Sequence, residues 1–181
     1  RIDGEALCFE RTLEFDPTRR YCHGVAFMPL RPGIVCAAMT TGTPAVHFVD
    51  TVGEVQIAPF VDDGWIPKSV TFAGASMVVV SVRQNVGQDP RARNVARVAL
   101  VAVEVETGDH QVLDAHEFHD TVMDGCHARG TMVYVAEQAN DAVRVFEVSG
   151  QQLLPRPTME GFSFPHDVGV SPDGQWLAVA N

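Results

Sequence analysis

Three histidines and one lysine head four similar stretches of this chain. His23 lies in Cys22-His23-Gly24-Val25-Ala26-Phe27 and Lys68 in Pro67-Lys68-Ser69-Val70-Thr71-Phe72. His127 lies in Gly125-Cys126-His127-Ala128-Arg129-Gly130, and His166 in Pro165-His166-Asp167-Val168. An imidazole changes charge near neutral pH and ligates divalent metals, so such a set suits acid–base chemistry or a metal site. His23, His127 and His166 are the candidate metal ligands, with a divalent metal as the candidate cofactor. Asp63, Asp124 and Asp167 lie close to these positions and add carboxylates. Lys68 counts against a symmetric cage, because an ammonium has no lone pair to donate. Arg83, Arg91, Arg93 and Arg97 fall in or beside the polar stretch Gln84–Asn94, where Arg91 and Arg93 are candidate contacts for an anionic ligand. The competing reading is structural. A histidine repeated at one turn position also serves to tie neighbouring strands, and a basic loop in an acidic chain is also simply solvated.

Other residue groups carry less. His116 and His119, in Ala115-His116-Glu117-Phe118-His119-Asp120, have the composition of a metal-binding tract but are expected on a solvated loop. Cys22-His23 and Cys126-His127 are not ready thiol–imidazole pairs, because adjacent residues of a strand point to opposite faces. No Gly-rich phosphate loop, nucleophile elbow or zinc-protease helix motif is present, and no catalytic residue is assigned.

The four heads must be held by strands. Each is followed by a short apolar or alternating run, then a second at strand length: Gly33–Ala38, Met77–Val82, Met132–Ala136 and Trp176–Ala180. After the first three pairs a further strand is expected, at Ala45–Asp50, Ala99–Glu106 and Ala142–Val148, with one more short strand behind each. The heads stand at 23, 68, 127 and 166, near the period of about 40 to 50 residues seen in propeller blades. Nowhere do apolar residues recur at helical spacing for a useful length.

The last repeat carries a resemblance. Phe164–Asn181, FPHDVGVSPDGQWLAVAN, has an alternating strand, the turn Ser171-Pro172-Asp173-Gly174 with type I chemistry, and a second apolar run. It resembles the inner half of a blade in the YVTN/lactonase-like β-propellers. The resemblance implies an all-β propeller of four four-stranded blades, with His23, Lys68, His127 and His166 at the starts of innermost strands around one mouth of a central channel. It also places the loop carrying Arg91 and Arg93 over that mouth.

The expected organisation is a single propeller domain over 1–181. Blade one covers about 20–60, blade two about 61–118 and blade three about 121–160. Blade four combines the C-terminal strands, 163–181, with outer strands from 1–15. Two closures satisfy this arrangement, a self-closed four-bladed monomer or a homodimer whose two chains share an eight-bladed ring, and a related reading makes the chain one part of a longer propeller. Self-closure is favoured by the small inner-strand residues Gly24, Ala26, Ala128, Gly130 and Gly169.

Composition sets the remaining bounds. The 181-residue chain is 46% hydrophobic and able to bury a core. Its formal charge of −10 argues against nucleic acid or an anionic membrane surface as a general partner. No apolar run nears the roughly 18 residues of a membrane span. The four cysteines, Cys8, Cys22, Cys36 and Cys126, do not form a disulfide framework; they read as free buried thiols and suit a cytoplasmic setting. Two functions follow: a propeller binding a small polar molecule or a protein partner at the channel mouth, or a lactonase-like hydrolase or isomerase, metal-assisted or histidine-assisted, at the same place.

Overall fold

The computed structural model describes residues 2–3, 6–7, 22–31, 33–39, 44–50, 56–60, 62, 64–83 and 94–181. The chain is built from antiparallel strands in sequential order. In the first four-stranded sheet, β3 (Cys22–Phe27), β4 (Ile34–Met39), β5 (Ala45–Asp50) and β6 (Gln56–Phe60) pair one after the next. The second holds β7 (Ile66–Ala73), β8 (Ser76–Arg83), β9 (Val95–Val103) and β10 (His110–Phe118). The third holds β11 (Met123–Arg129), β12 (Met132–Glu137), β13 (Ala142–Ser149) and β14 (Gln152–Glu160). β15 (Asp167–Val170) and β16 (Leu177–Ala180) form a two-stranded sheet, as do β1 (Ile2–Asp3) and β2 (Ala6–Leu7).

Local chemistry explains the strands. β-Branched residues dominate β8, Ser-Met-Val-Val-Val-Ser-Val-Arg, which is buried along both faces from Met77 to Val82. Gly74 and Gly130, each at φ +60°, turn the inner hairpins of the second and third sheets. The expected turn in the last repeat is present: Gly174 N–H donates to the Ser171 carbonyl at 2.9 Å.

The sheets stack face to face as successive blades, β3 against β7, β7 against β11 and β11 against β15. Three apolar cores lie between them. Ile34, Cys36, Val46 and Phe48 meet Val70, Met77 and Val79 between the first two blades. Val78, Val80, Val98 and Leu100 meet Met123, Val133, Val135 and Phe146 between the second and third. Ala136 and Val143 meet Val168 between the third and fourth.

Several expectations change. The third strand of blade two is Val95–Val103, because the run Val-Ala-Arg-Val-Ala-Leu-Val continues through a buried Arg97. His116 is on β10, where its Nε2 lies 2.6 Å from the Leu153 carbonyl and its ring 5.6 Å from that of Phe146. Cys22 is exposed, while Cys36 and Cys126 are buried; Cys8 lies outside the described residues. No ladder among the described residues joins β1–β2 to β15–β16. No helix among them is long and apolar enough to cross a membrane.

The blade joints tolerate little bulk. A Cβ built on Gly125 would lie 1.9 Å from Asp167 Oδ1 and 2.7 Å from Asp167 Cα, and backbone cannot swing aside as a side chain can. Gly125→Ala is therefore expected to destabilise the chain by about 1–3 kcal/mol in urea denaturation. Gly169→Ala, with nothing within 4 Å of the built Cβ, is the control that leaves the midpoint nearly in place.

Candidate functional site

In blades one to three the inner strand enters its blade through a one-residue bulge. Cys22 pairs with Met39 but Gly24 with Ala38, leaving His23 extra. Pro67 pairs with Ser81 but Ser69 with Val80, leaving Lys68 extra. In blade three Met123 pairs with Glu137 and Cys126 with Val135, so one residue between them is extra. The joints identify it. Gly24 packs on Ser69 of the next blade as Gly125 packs on Asp167 of the next, which makes Asp124 the counterpart of His23. The equivalent tripeptides are Cys22-His23-Gly24, Pro67-Lys68-Ser69, Met123-Asp124-Gly125 and Pro165-His166-Asp167. A bulge turns its extra residue out of the ladder, which aims His23, Lys68 and Asp124 away from the sheets; His166 holds the matching place just before β15, whose ladder is regular.

The expected ring therefore needs one correction. His127 lies further along β11, opposite Tyr134, and is not gathered with the others. Asp124 takes its place and brings two blades together. Its Oδ1 is 3.7 Å from His23 Nδ1 and its Oδ2 is 3.5 Å from His166 Nδ1. Asp124 is the most enclosed of the three, with 19% of its side chain exposed against 35% for His23 and 56% for His166. Lys68, half-buried, occupies the fourth position with no ion-pair partner among the described residues. The set His23, His127 and His166 is not assembled for a metal, and among the described residues no three His, Cys, Asp or Glu side chains are.

Gln138 completes the group, and the sequence reading missed it. Its Nε2 donates to Asp124 Oδ2 at 3.2 Å and lies 2.8 Å from His166 Nδ1. An amide nitrogen has two hydrogens, so one amide serves both acceptors when the His166 proton is on Nε2. Gln138 starts a 3-10 turn, Gln138–Asn140, between the second and third strands of blade three. The turn is pinned from below by Glu137, whose fully buried carboxylate accepts from Arg144 Nε at 2.5 Å and Asn140 Nδ2 at 2.7 Å. Two non-glycine residues in left-handed conformations stand beside it, Asp141 at φ +52° and Phe164 at φ +51°. Asp141 Oδ1 accepts from Phe164 N–H at 2.7 Å, and Phe164 packs edge-on against the His166 ring at 5.2 Å. Local strain held by such contacts is common where side chains must be aimed.

The arginines are divided. Arg97 is buried, ion-paired with Asp62 and stacked 4.1 Å over the Trp65 ring. Arg83 sits 4.8 Å from the same ring and 3.9 Å from Glu117. Both are engaged in blade two. The cavity lined by Asp62, Trp65, Ser81 and Arg97 is about 10 Å³, room for a water molecule and not a ligand. Arg91, Arg93 and Asp63 lie outside the described residues.

No protein-family model matches the chain, and no curated protein does. Solved structures do. Hydrazine synthase of Kuenenia stuttgartiensis superposes with a TM-score of 0.66 at 14% identity, over 87% of this chain and 55% of that one. A nidogen/laminin complex gives 0.63 at 10% identity, over 94% and 60%. The computationally designed Ika4 protein gives 0.58 at 15% identity, over 95% and 98%. The fold is propeller-like. At these identities the likeness concerns architecture alone, and this chain spans about half the length of the first structure.

Arg144→Met leaves the Glu137 carboxylate buried without its cation and is expected to cost about 3–5 kcal/mol in urea denaturation, with looser hydrogen-exchange protection at Gln138–Asn140. Burial pushes the Cys36 and Cys126 thiols up to about 12. A thiol that resists ionisation only when folded contributes its full stability below the ordinary value of 9.0 and loses it as pH rises toward 12. Unfolding free energy should therefore fall over that window, and Cys36→Ala should flatten the fall. In native protein a thiol reagent should label Cys22 well before Cys36 or Cys126.

Proposed function

We propose that this chain is a YVTN/lactonase-like propeller that binds a small polar molecule carrying an anionic group at the channel mouth. The observation that carries the reading is the Asp124 carboxylate standing between the imidazoles of His23 and His166. With their Nδ1 sides turned to Asp124 and Gln138, neither ring's Nε2 has a partner among the described residues, which suits it to a ligand. Lys68, on the intervening blade, adds a positive charge in the same ring. The His166 Nε2–H and the Lys68 ammonium suit carboxylate or phosphate oxygens, for which charge-assisted hydrogen bonds are the strong ones. Arg91 and Arg93 are proposed as outer contacts for the same group. The reduced thiols Cys36 and Cys126 fit a cytoplasmic setting for this activity.

A hydrolase or isomerase reading is supported by the same carboxylate. A carboxylate beside an imidazole fixes its orientation, as acid–base catalysis requires. The distances of 3.5 and 3.7 Å exceed ordinary hydrogen bonds, so ligand binding would have to tighten them.

Histidine-detected NMR with inorganic phosphate and citrate as probes tests the binding reading. Saturable shifts of His23 and His166 are expected, with affinity weakened about 10-fold or more by Lys68→Ala or His166→Ala. If neither anion moves these resonances, or both variants bind as the parent does, the reading fails. Turnover of a simple lactone that survives Asp124→Asn, His23→Ala and His166→Ala would remove the catalytic version.

A further inference from the structure

Where blades one and two meet, β8 and β9 bring two buried polar groups to the edge of a small cavity. Ser81 is 1% and Arg97 8% exposed. Neither Ser81 Oγ nor Arg97 Nε has a hydrogen-bond partner among the described residues. The two are cross-strand neighbours, Ser81 on β8 opposite Arg97 on β9. Both line the cavity of about 10 Å³, together with the Asp62 carboxylate. Its apolar walls include Trp65 and Pro67, both buried.

Blade three fills the matching place with a longer side chain. Pro67 pairs with Ser81 just before the bulge at Lys68, as Met123 pairs with Glu137 just before the bulge at Asp124. The Glu137 carboxylate reaches across and accepts from Arg144 Nε at 2.5 Å. The Ser81 hydroxyl ends closer to its own backbone, and Arg97 Nε–H has no side-chain acceptor there. A buried donor left unsatisfied is costly, and such groups in folded proteins are met either by protein atoms or by ordered water.

The lining decides which species fits. The Arg97 guanidinium repels a cation, and the Asp62 carboxylate repels an anion. A volume of about 10 Å³ holds one water molecule and no larger group. We propose that this cavity is the binding site of a single water molecule that belongs to the structure of blade two. Its oxygen accepts from Arg97 Nε–H, and one of its hydrogens goes to the Asp62 carboxylate. The Ser81 hydroxyl is its third partner, about the number of contacts a buried water makes. With Pro67 in the wall, the water supports the strand entry that carries Lys68. It does for Arg97 what the Glu137 carboxylate does for Arg144.

Water–protein NMR cross-relaxation at Arg97 Nε–H, in the whole chain, tests this. A rotating-frame cross-peak to the water line is expected, with the sign opposite to the diagonal that separates a bound water from hydrogen exchange. Ser81→Ala keeps Arg97 and Asp62 as partners and should retain the cross-peak, which distinguishes water from the Ser81 hydroxyl proton. Ser81→Val puts a methyl group into the cavity and should abolish it. A parent without the cross-peak overturns the proposal. So does its loss in Ser81→Ala or its survival in Ser81→Val. The parent and Ser81→Ala spectra decide the matter even where Ser81→Val folds poorly.

Discussion

The first residues of every inner strand have to satisfy two neighbours at once. The strand must pair with the second strand of its own blade and lie close against the inner strand of the next. At the joint, Gly24 meets Ser69 and Gly125 meets Asp167 with no space for a Cβ. The single extra residue before this contact lets the strand enter the ladder late and releases one side chain from it. That residue is the one chemical freedom the joint allows. In this chain it is filled by His23, Lys68 and Asp124, with His166 at the matching place before β15, so the site is a by-product of how the blades meet.

The polar character of the ring follows from that placement. An isolated carboxylate as enclosed as Asp124 would be unfavourable, and the Gln138 amide together with two imidazoles supplies its compensation. Gln138 is held in turn by the buried Glu137–Arg144–Asn140 group one residue earlier in the chain. The site therefore depends on an ion pair inside blade three and not only on the residues that line it. Blade two differs: Arg83 and Arg97 are folded onto Trp65, Arg97 also onto Asp62, and among the described residues Lys68 represents the blade at the ring.

The architecture was largely legible in sequence, since period-two alternation and turn residues act locally. Ala45–Asp50 is a strand with the expected bounds, and the Ser171–Gly174 turn forms as its residues dictate. The site was legible in part. His23, Lys68 and His166 were found because residue type and spacing repeat. Asp124 was passed over for His127 because the alignment followed histidine and not backbone register, although Met-Asp-Gly-Cys matches Cys-His-Gly-Val and Pro-His-Asp-Val in small residue and apolar residue alike. Gln138 has no such signal; only the pairing of β12 with β13 brings its turn to the mouth. His116 was read as a loop because its strand is polar on one face, which an outer strand in solvent permits.

The meander of each blade also has a kinetic meaning. Within a blade every strand after the first hydrogen-bonds to its predecessor in sequence, so most contacts inside a blade close short loops and form without a long search. The interfaces that bury Val70, Cys126 and Val168 come next and add blades one at a time along the chain. The face around Val25 and Phe27, 59% and 73% exposed, takes no part in these steps among the described residues.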